Sequence, residues 1–246
     1  MEKCMLVATM LMLLGAARLI QNRRDKLKGT IKLVFQPAEE GYAGASYMLE
    51  EGALDGFQAM FGLHVWPFMP VGTISSKPGP IMAGSSRFTV LTVAFVDGGQ
   101  AGNVIPESVR FAGTFRFMTL EGYSYLKQRI KEEYMSYSAT VDFMEEMRPY
   151  PPTINDSTIY DHNQRVGEIL FGNTFPSFDG CRGLGVLLAT AFFFIGTQNK
   201  TISSSVKGLH SLYFTIDEEV LPIGAALHAA FAISYLDTHF KSRVTQ

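Results

Sequence analysis

At 246 residues, with 47% hydrophobic and 18% charged residues, the chain has enough apolar surface to exclude a disordered or collagen-like polymer. Its length corresponds to about one and a half domains at roughly 150 residues per domain. A net charge of −2 and a sequence pI of about 6.2 give no electrostatic footprint for nucleic acid. The two distant cysteines, Cys4 and Cys181, cannot form a disulfide framework.

Met1–Ile20 admits two readings. A lysine, the apolar run Met5–Leu14 and Gly15-Ala16-Ala17 make a passable secretory signal. Its alanines, leucines and methionines describe a buried helix equally well. Arg18, Arg23 and Arg24 follow too soon for a good membrane span, and no other stretch approaches one. Thr30–Phe35 (TIKLVF) reads as a strand ended by Gln36-Pro37. Tyr42–Glu51 reads as a helix stopped by Gly52, Phe57–Trp66 as a strand closed by Pro67, and Val71–Ser75 as a short strand. Pro78-Gly79-Pro80 then punctuates the chain.

Arg87–Val96 and the alternating Val109–Phe117 are predicted strands, with a turn at Asp97-Gly98-Gly99 after the first. Glu121–Tyr137 has helical spacing, carrying Tyr125, Leu126, Ile130 and Tyr134 on one stripe. Ala139–Met144 returns to strand, and Tyr150-Pro151-Pro152 marks a domain boundary. Asp156–Phe171 is a helix and Ala191–Ile195 a buried strand. Asp217–Phe240 is a long helix, with a capping box at Thr215-x-x-Glu218 and Pro222 in its first turn. Helices between strands predict an α/β architecture with a smaller antiparallel α+β insert over about residues 85–150.

Several devices are absent: no P-loop, no G-x-S-x-G elbow, no C-x-x-C and no H-E-x-x-H. Gly180-x-x-Gly183-x-Gly185 has the wrong order for a dinucleotide fingerprint and reads as a loop. Glu39 and Glu40 directly follow the Thr30–Phe35 run, where open α/β sheets place their active sites. One carboxylate could hold a metal while the other takes a proton from its water. Adjacent glutamates recur at Glu50-Glu51, Glu132-Glu133, Glu145-Glu146 and Glu218-Glu219, so a solvated surface is the competing reading. His64 and His210 both stand in Gly-Leu-His at expected strand exits, where a ligand competes with a hydrogen-bonded core histidine. His162, His228 and His239 fall on predicted helices and read as structural. Cys4, on an apolar helix, is by default a small buried hydrophobe. The residues alone reach a Cys/Glu/His metal site and no further.

Gln36-Pro37-Ala38-Glu39-Glu40-Gly41, Gly62-Leu63-His64-Val65-Trp66-Pro67, Asn103-Val104-Ile105-Pro106 and Gly208-Leu209-His210-Ser211, in that order, resemble the plant indole-3-acetic acid–amino acid hydrolases. These auxin-conjugate amidohydrolases belong to the aminoacylase/carboxypeptidase-type metallopeptidases. The resemblance covers Leu13–Arg87, Val93–Asp156 and Ala191–His239. It implies a catalytic mixed-sheet α/β domain flanked by helices (residues 1–84 and 151–246), interrupted by a truncated α+β lid (85–150). It also implies a two-metal site, usually manganese, acting on a small-molecule indole acid–amino acid conjugate, with no nucleic-acid or membrane partner. By motif, Glu39 is the general base, and Cys4, Glu40, His64 and His210 are metal ligands.

The chain departs from the family pattern in three places. Where the family has H-A-C-G-H-D, this sequence has Glu2-Lys3-Cys4-Met5-Leu6-Val7, so Leu6 and Val7 replace a histidine ligand and an aspartate with groups that lack lone pairs. Between Phe88 and Leu91 the family carries several dozen more residues, including a G-G-H-A segment. Over Ser177–Thr190 its A-E-D-F motif is missing, and Phe175–Leu188 resembles nothing in the family. These departures predict a two-domain enzyme without its lead-in and part of its lid, weak or inactive as a hydrolase. The alternatives are a non-catalytic binder of the conjugate, an incompletely read gene, or a chain whose exposed strand edges prevent stable folding. Family members commonly occupy the endoplasmic-reticulum lumen, but Lys241–Gln246 (KSRVTQ) is no retention signal, and localisation stays open. The signal-like start is better explained as the active-site helix, because Met12–Leu19 matches the family.

Overall fold

The computed structural model describes residues 3–38, 43–97, 110–135, 140–144, 149–172, 191–198, 208–209, 211 and 213–240. For 3–6, 87–97, 110–111, 134–135 and 240 the description is of the backbone alone. The first segment is a helix, α1 (Lys3–Gln21). Its buried Ala8, Met12 and Ala16 recur every fourth residue and so share one face. That side packs on the last helix, α5 (Val220–Phe240), with little space to spare. A Cβ at Gly15 would lie 2.8 Å from the Cβ of Ala225, and one at Gly224 would strike the Met12 sulfur. By length and composition α5 is apolar enough to cross a membrane, with a mean hydropathy of 1.4 over Val220–His239, contrary to the expectation that no second stretch approaches this. In the fold its Val220, Leu227 and Phe231 belong to the main core, with Val65 and Phe193.

The expected capping box does not form, because α5 starts two residues beyond Glu218. Instead the Asp217 carboxylate accepts the Glu219 N–H at 3.1 Å. Pro222 stands in the first turn, as its missing N–H allows. Two shorter helices follow the prediction closely. α2 (Gly44–Glu50) is followed by Gly52 at φ +70°. α4 (Ser157–Phe171) starts where the Asp156 carboxylate accepts the Ile159 N–H at 2.9 Å.

The central sheet has the order β1-β7-β2, from β1 (Phe61–Pro70), β7 (Ala191–Gln198) and β2 (Ile74–Ser75). β1 runs parallel to β7 and β2 antiparallel to it, which makes the sheet mixed, as expected. β7 is buried from Ala191 to Thr197 because both its faces are covered. Ala191, Phe193 and Ile195 meet the helices, while Phe192 and Phe194 pack with Ile81 and Met82. Pro67 does not close β1. The strand continues to Pro70 with a register slip after Trp66, where a residue without an N–H cannot serve the ladder.

Three local expectations fail. Thr30–Phe35 is not a strand: it lines a cavity that β1 also lines, and it pairs with no strand among the described residues. Pro78-Gly79-Pro80 is more than punctuation, since β3 (Gly79–Met82) pairs antiparallel with β6 (Thr153–Asn155) in a two-stranded ladder whose free edges tolerate Pro80. The described part of Ala139–Met144 is not a strand either. Its Phe143 is buried against α3 (Leu120–Met135), with the Lys127 Nζ 4.9 Å from the ring centre.

β4 (Gly84–Asp97) and β5 (Arg110–Phe117) form a second antiparallel ladder, whose Phe115 and Phe117 share a core with Ile130 and Phe143. Phe88 and Val93 both face Gly113, so residues 89–92 stand outside the register. This irregularity falls where the family pattern is interrupted. The chain enters and leaves this region at Ser85 and Tyr150, whose backbones exchange two N–H···O bonds of 2.8 Å. Gly98, Gly99, Cys181, the Gly180–Gly185 loop and the Phe175–Leu188 segment lie outside the described residues.

Candidate active site

His64 is set by the alternation of β1. Leu63 and Val65 point to the helices, so His64 and Trp66 must point to the opposite face. There the imidazole packs beside Phe194 (5.9 Å between ring centres) and Phe192 (6.3 Å). Its Nδ1 lies 2.7 Å from the Val65 carbonyl oxygen. A carbonyl only accepts, so Nδ1 carries the proton and donates. A ring nitrogen held in this way by a backbone carbonyl is usual for a histidine that ligates a metal. His64 stands mid-strand rather than at the strand exit its sequence context suggested.

Glu39, Glu40 and His210 lie outside the described residues, and Cys4 is described only as part of the first turn of α1. Their surroundings are nevertheless informative. The described residues on either side of both glutamates are drawn together. The Gly44 N–H donates to the Ala38 carbonyl at 3.4 Å, and only a glycine at 44 fits against the Pro37 carbonyl. Ala38 (φ +50°) and Ala43 (φ +51°) flank the loop in the left-handed region, a strained setting for residues with a Cβ. The Ala43 N–H donates to the Tyr150 hydroxyl at 2.8 Å, which ties the loop to the crossing at Ser85. Sequence reasoning read Tyr150 only as a boundary marker; nothing in its local pattern announces a contact 107 residues away.

Gly208 and Leu209, beside His210, occupy a turn closed by the Ser211 N–H on the Gly208 carbonyl at 2.9 Å, not a strand exit. Val7 is half exposed on α1 and offers no donor. Among the described residues no three His, Cys, Asp or Glu side chains converge on one point.

A cavity of about 680 Å³ borders β1 on the side away from β7 and is lined by His64 as well as by residues of α1 and α5. His228 of α5 borders the same cavity, and burial lowers its pKa to about 4, so it is neutral at neutral pH. His162 and His239 flank the Tyr235 ring (6.0 and 3.9 Å between centres), which fits their reading as structural.

One buried polar residue escaped the sequence reading. The Asn155 side chain donates to the Ser76 hydroxyl (3.0 Å), the Lys77 carbonyl (2.8 Å) and the Phe192 carbonyl (3.2 Å), and accepts the Phe192 N–H (2.7 Å). It joins β6 to β7 directly behind the aromatic pair that flanks His64. An asparagine just before a helix cap is unremarkable in sequence, and only tertiary contact reveals it.

Comparison with known proteins places these features in a family. The pattern of peptidase family M20/M25/M40 matches residues 6–234. The chain is 36% identical over 290 aligned positions to the IAA-amino acid hydrolase ILR1-like 6 of Arabidopsis thaliana, covering 96% of this chain and 62% of that protein. It is 28% identical to thermostable carboxypeptidase 2 of Saccharolobus solfataricus, over 91% of this chain and 70% of that one. Among solved structures it is similar to the Bacillus subtilis YXEP protein, described as a dinuclear metal binding peptidase (TM-score 0.73, 28% identity, 92% of this chain and 71% of that chain). The chain spans less than two thirds of the length of the Arabidopsis relatives it matches. With its mixed α/β fold and this match over nearly its whole length, the chain belongs to peptidase family M20/M25/M40.

Proposed function

We propose that the chain carries the site of a metal-dependent amide hydrolase acting on indole acid–amino acid conjugates, with manganese as its ion and weak or no turnover in this form. The observation that carries the reading is the match to peptidase family M20/M25/M40 over residues 6–234, with the His64 ring held by its Nδ1 against the Val65 carbonyl oxygen. The donor set fits such an ion in kind: thiolate, carboxylate and imidazole from Cys4, Glu40, His64 and His210. When bound, a metal pair polarises the scissile carbonyl and lowers the pKa of the attacking water. Glu39 takes the proton from that water and returns it to the leaving amine. Leu6 and Val7 supply no donor, which is the reason for expecting little turnover.

The catalytic unit in this reading is residues 1–84 and 151–246, and residues 85–150 form the lid. The paired backbones of Ser85 and Tyr150, where the chain passes between the two, support that division.

Elemental analysis after dialysis against manganese tests the site. The expected result is at most one tightly held ion per chain, with affinity reduced at least 10–100-fold in His64→Ala, since losing even an outer partner of a ligand costs that much. Full retention by His64→Ala would remove His64 from the ligand set. Two retained ions with release of indole-3-acetic acid from its alanine conjugate would overturn the weak-turnover half. Conjugate binding without turnover, unchanged in Glu39→Ala, would identify a binding protein instead.

A further inference from the structure

Tyr150 joins three parts of the chain. Its backbone exchanges two N–H···O bonds of 2.8 Å with Ser85. The neighbouring Gly84 leaves no room beside it, because a Cβ there would lie 2.7 Å from the Tyr150 carbonyl oxygen and 2.6 Å from the Phe117 ring. A side chain has few staggered rotamers, so a backbone held this closely limits where the phenol can reach.

The hydroxyl reaches Ala43, 107 residues away, and accepts its N–H at 2.8 Å. Three features make that bond consequential. Ala43 is 4% exposed, so its N–H has little access to water and is costly to leave unmatched. Its φ of +51° is a left-handed setting that a residue with a Cβ keeps only where its surroundings impose it. It also begins α2 as a cap whose own side chain makes no capping bond.

Ala43 is moreover one end of a short span. Ala38, at φ +50°, is the other end, and Gly44 donates its N–H to the Ala38 carbonyl at 3.4 Å. Between Ala38 and Ala43 the sequence reads Glu39-Glu40-Gly41-Tyr42. A chain extends at most about 3.6 Å per residue, so a span this short follows its ends closely.

We propose that Tyr150 is a positioning residue for the Glu39–Glu40 pair: its hydroxyl fixes Ala43 in the left-handed region and so sets where the two carboxylates stand. The inference rests on the amide-hydrolase reading, in which Glu39 is the base and Glu40 a metal ligand. Tyr150 acts through the backbone of Ala43. Without the hydroxyl, Ala43 relaxes toward an ordinary backbone setting and carries the end of the span with it.

Tyr150→Phe, which deletes the hydroxyl and keeps the ring, tests this by two measurements on the intact chain. The first needs no metal. Hydrogen–deuterium exchange at Ala43–Ser46 should quicken several-fold while Phe192–Ile195 exchange as before. The second uses manganese(II). Its affinity should fall by about tenfold, the lower end of what losing an outer partner of a ligand costs, and the EPR line shape of the bound ion should change with its ligand geometry. Val166→Ala, a truncation in the main core on α4, lowers stability and serves as the control; it should alter neither the exchange at Ala43–Ser46 nor the EPR spectrum. Unchanged exchange in Tyr150→Phe, or faster exchange with manganese bound as before, would overturn the proposal. Equal changes in Val166→Ala would do the same, by reducing the hydroxyl to a source of general stability. An unmodified chain that binds no manganese would overturn the amide-hydrolase reading instead, and the exchange result alone then decides whether the hydroxyl fixes this span.

Discussion

Asn155 shows how one side chain can hold a site that it does not belong to. Its amide makes four hydrogen bonds, two of them with the backbone of Phe192, which stands beside the His64 ring. Leucine has the same heavy-atom branching but leaves the Phe192 N–H and the Lys77 carbonyl without this partner, whereas the Phe192 carbonyl keeps the Ser76 hydroxyl. An unsatisfied buried group costs about 1–3 kcal/mol. Asn155→Leu is therefore expected to destabilise the fold by about 2–4 kcal/mol in a urea titration, and Asn155→Ser, which keeps a polar atom, by less. Equal stability of Asn155→Leu and the unmodified chain would show these bonds to be dispensable. His64 gives the opposite case in legibility. Its strand was visible in the sequence, but its position mid-strand and the proton on Nδ1, which depends on the Val65 carbonyl, were not.

At the level of elements, the helices were read far better than the strands. α1, α4 and α5 announce themselves through local spacing and end signals, because a helix satisfies most of its own backbone. A strand needs a neighbour: TIKLVF has none among the described residues, whereas Gly79–Met82, with Pro78 before it and Pro80 within it, pairs with β6. The two readings of the first segment are also decided by contact: α1 is a core helix because α5 lies against it. That contact rests on Gly15 and Gly224. Gly15→Leu forces a side chain into a space where even a Cβ sits 2.8 Å from Ala225. It should cost about 1–3 kcal/mol, the usual range for overpacking, seen as a melting temperature lower by roughly 2–12 °C. Gly224→Ala meets the flexible Met12 side chain and should cost less. The reverse order would place the tight contact elsewhere.

The whole molecule carries a pH dependence that no local element shows. His228 is held neutral by burial, its pKa lowered to about 4 from 6.5, and burial together with Arg165 and His239 lowers His162 in the same direction. The unfolded chain protonates these rings near pH 6.5 while the folded chain does not. Stability is therefore complete above pH 6.5 and falls as the pH drops from there toward 4. Thermal melts across this window should show a falling melting temperature. His228→Leu should flatten the slope without abolishing it, since His162 remains. A slope unchanged in His228→Leu would assign it to other groups. The same ring borders the cavity beside β1.

The sequence by itself determined the family, the helices and the mixed α/β character. Each of these is written in residue order, spacing or short motifs. Only the tertiary structure decided that Thr30–Phe35 stays outside the described ladders, that Tyr150 reaches back to Ala43, and that Asn155 fastens β6 to β7. The division follows from the physics of the backbone: a helix closes its hydrogen bonds within a few residues, but a sheet edge, a long-range cap and a buried amide exist only when distant segments meet.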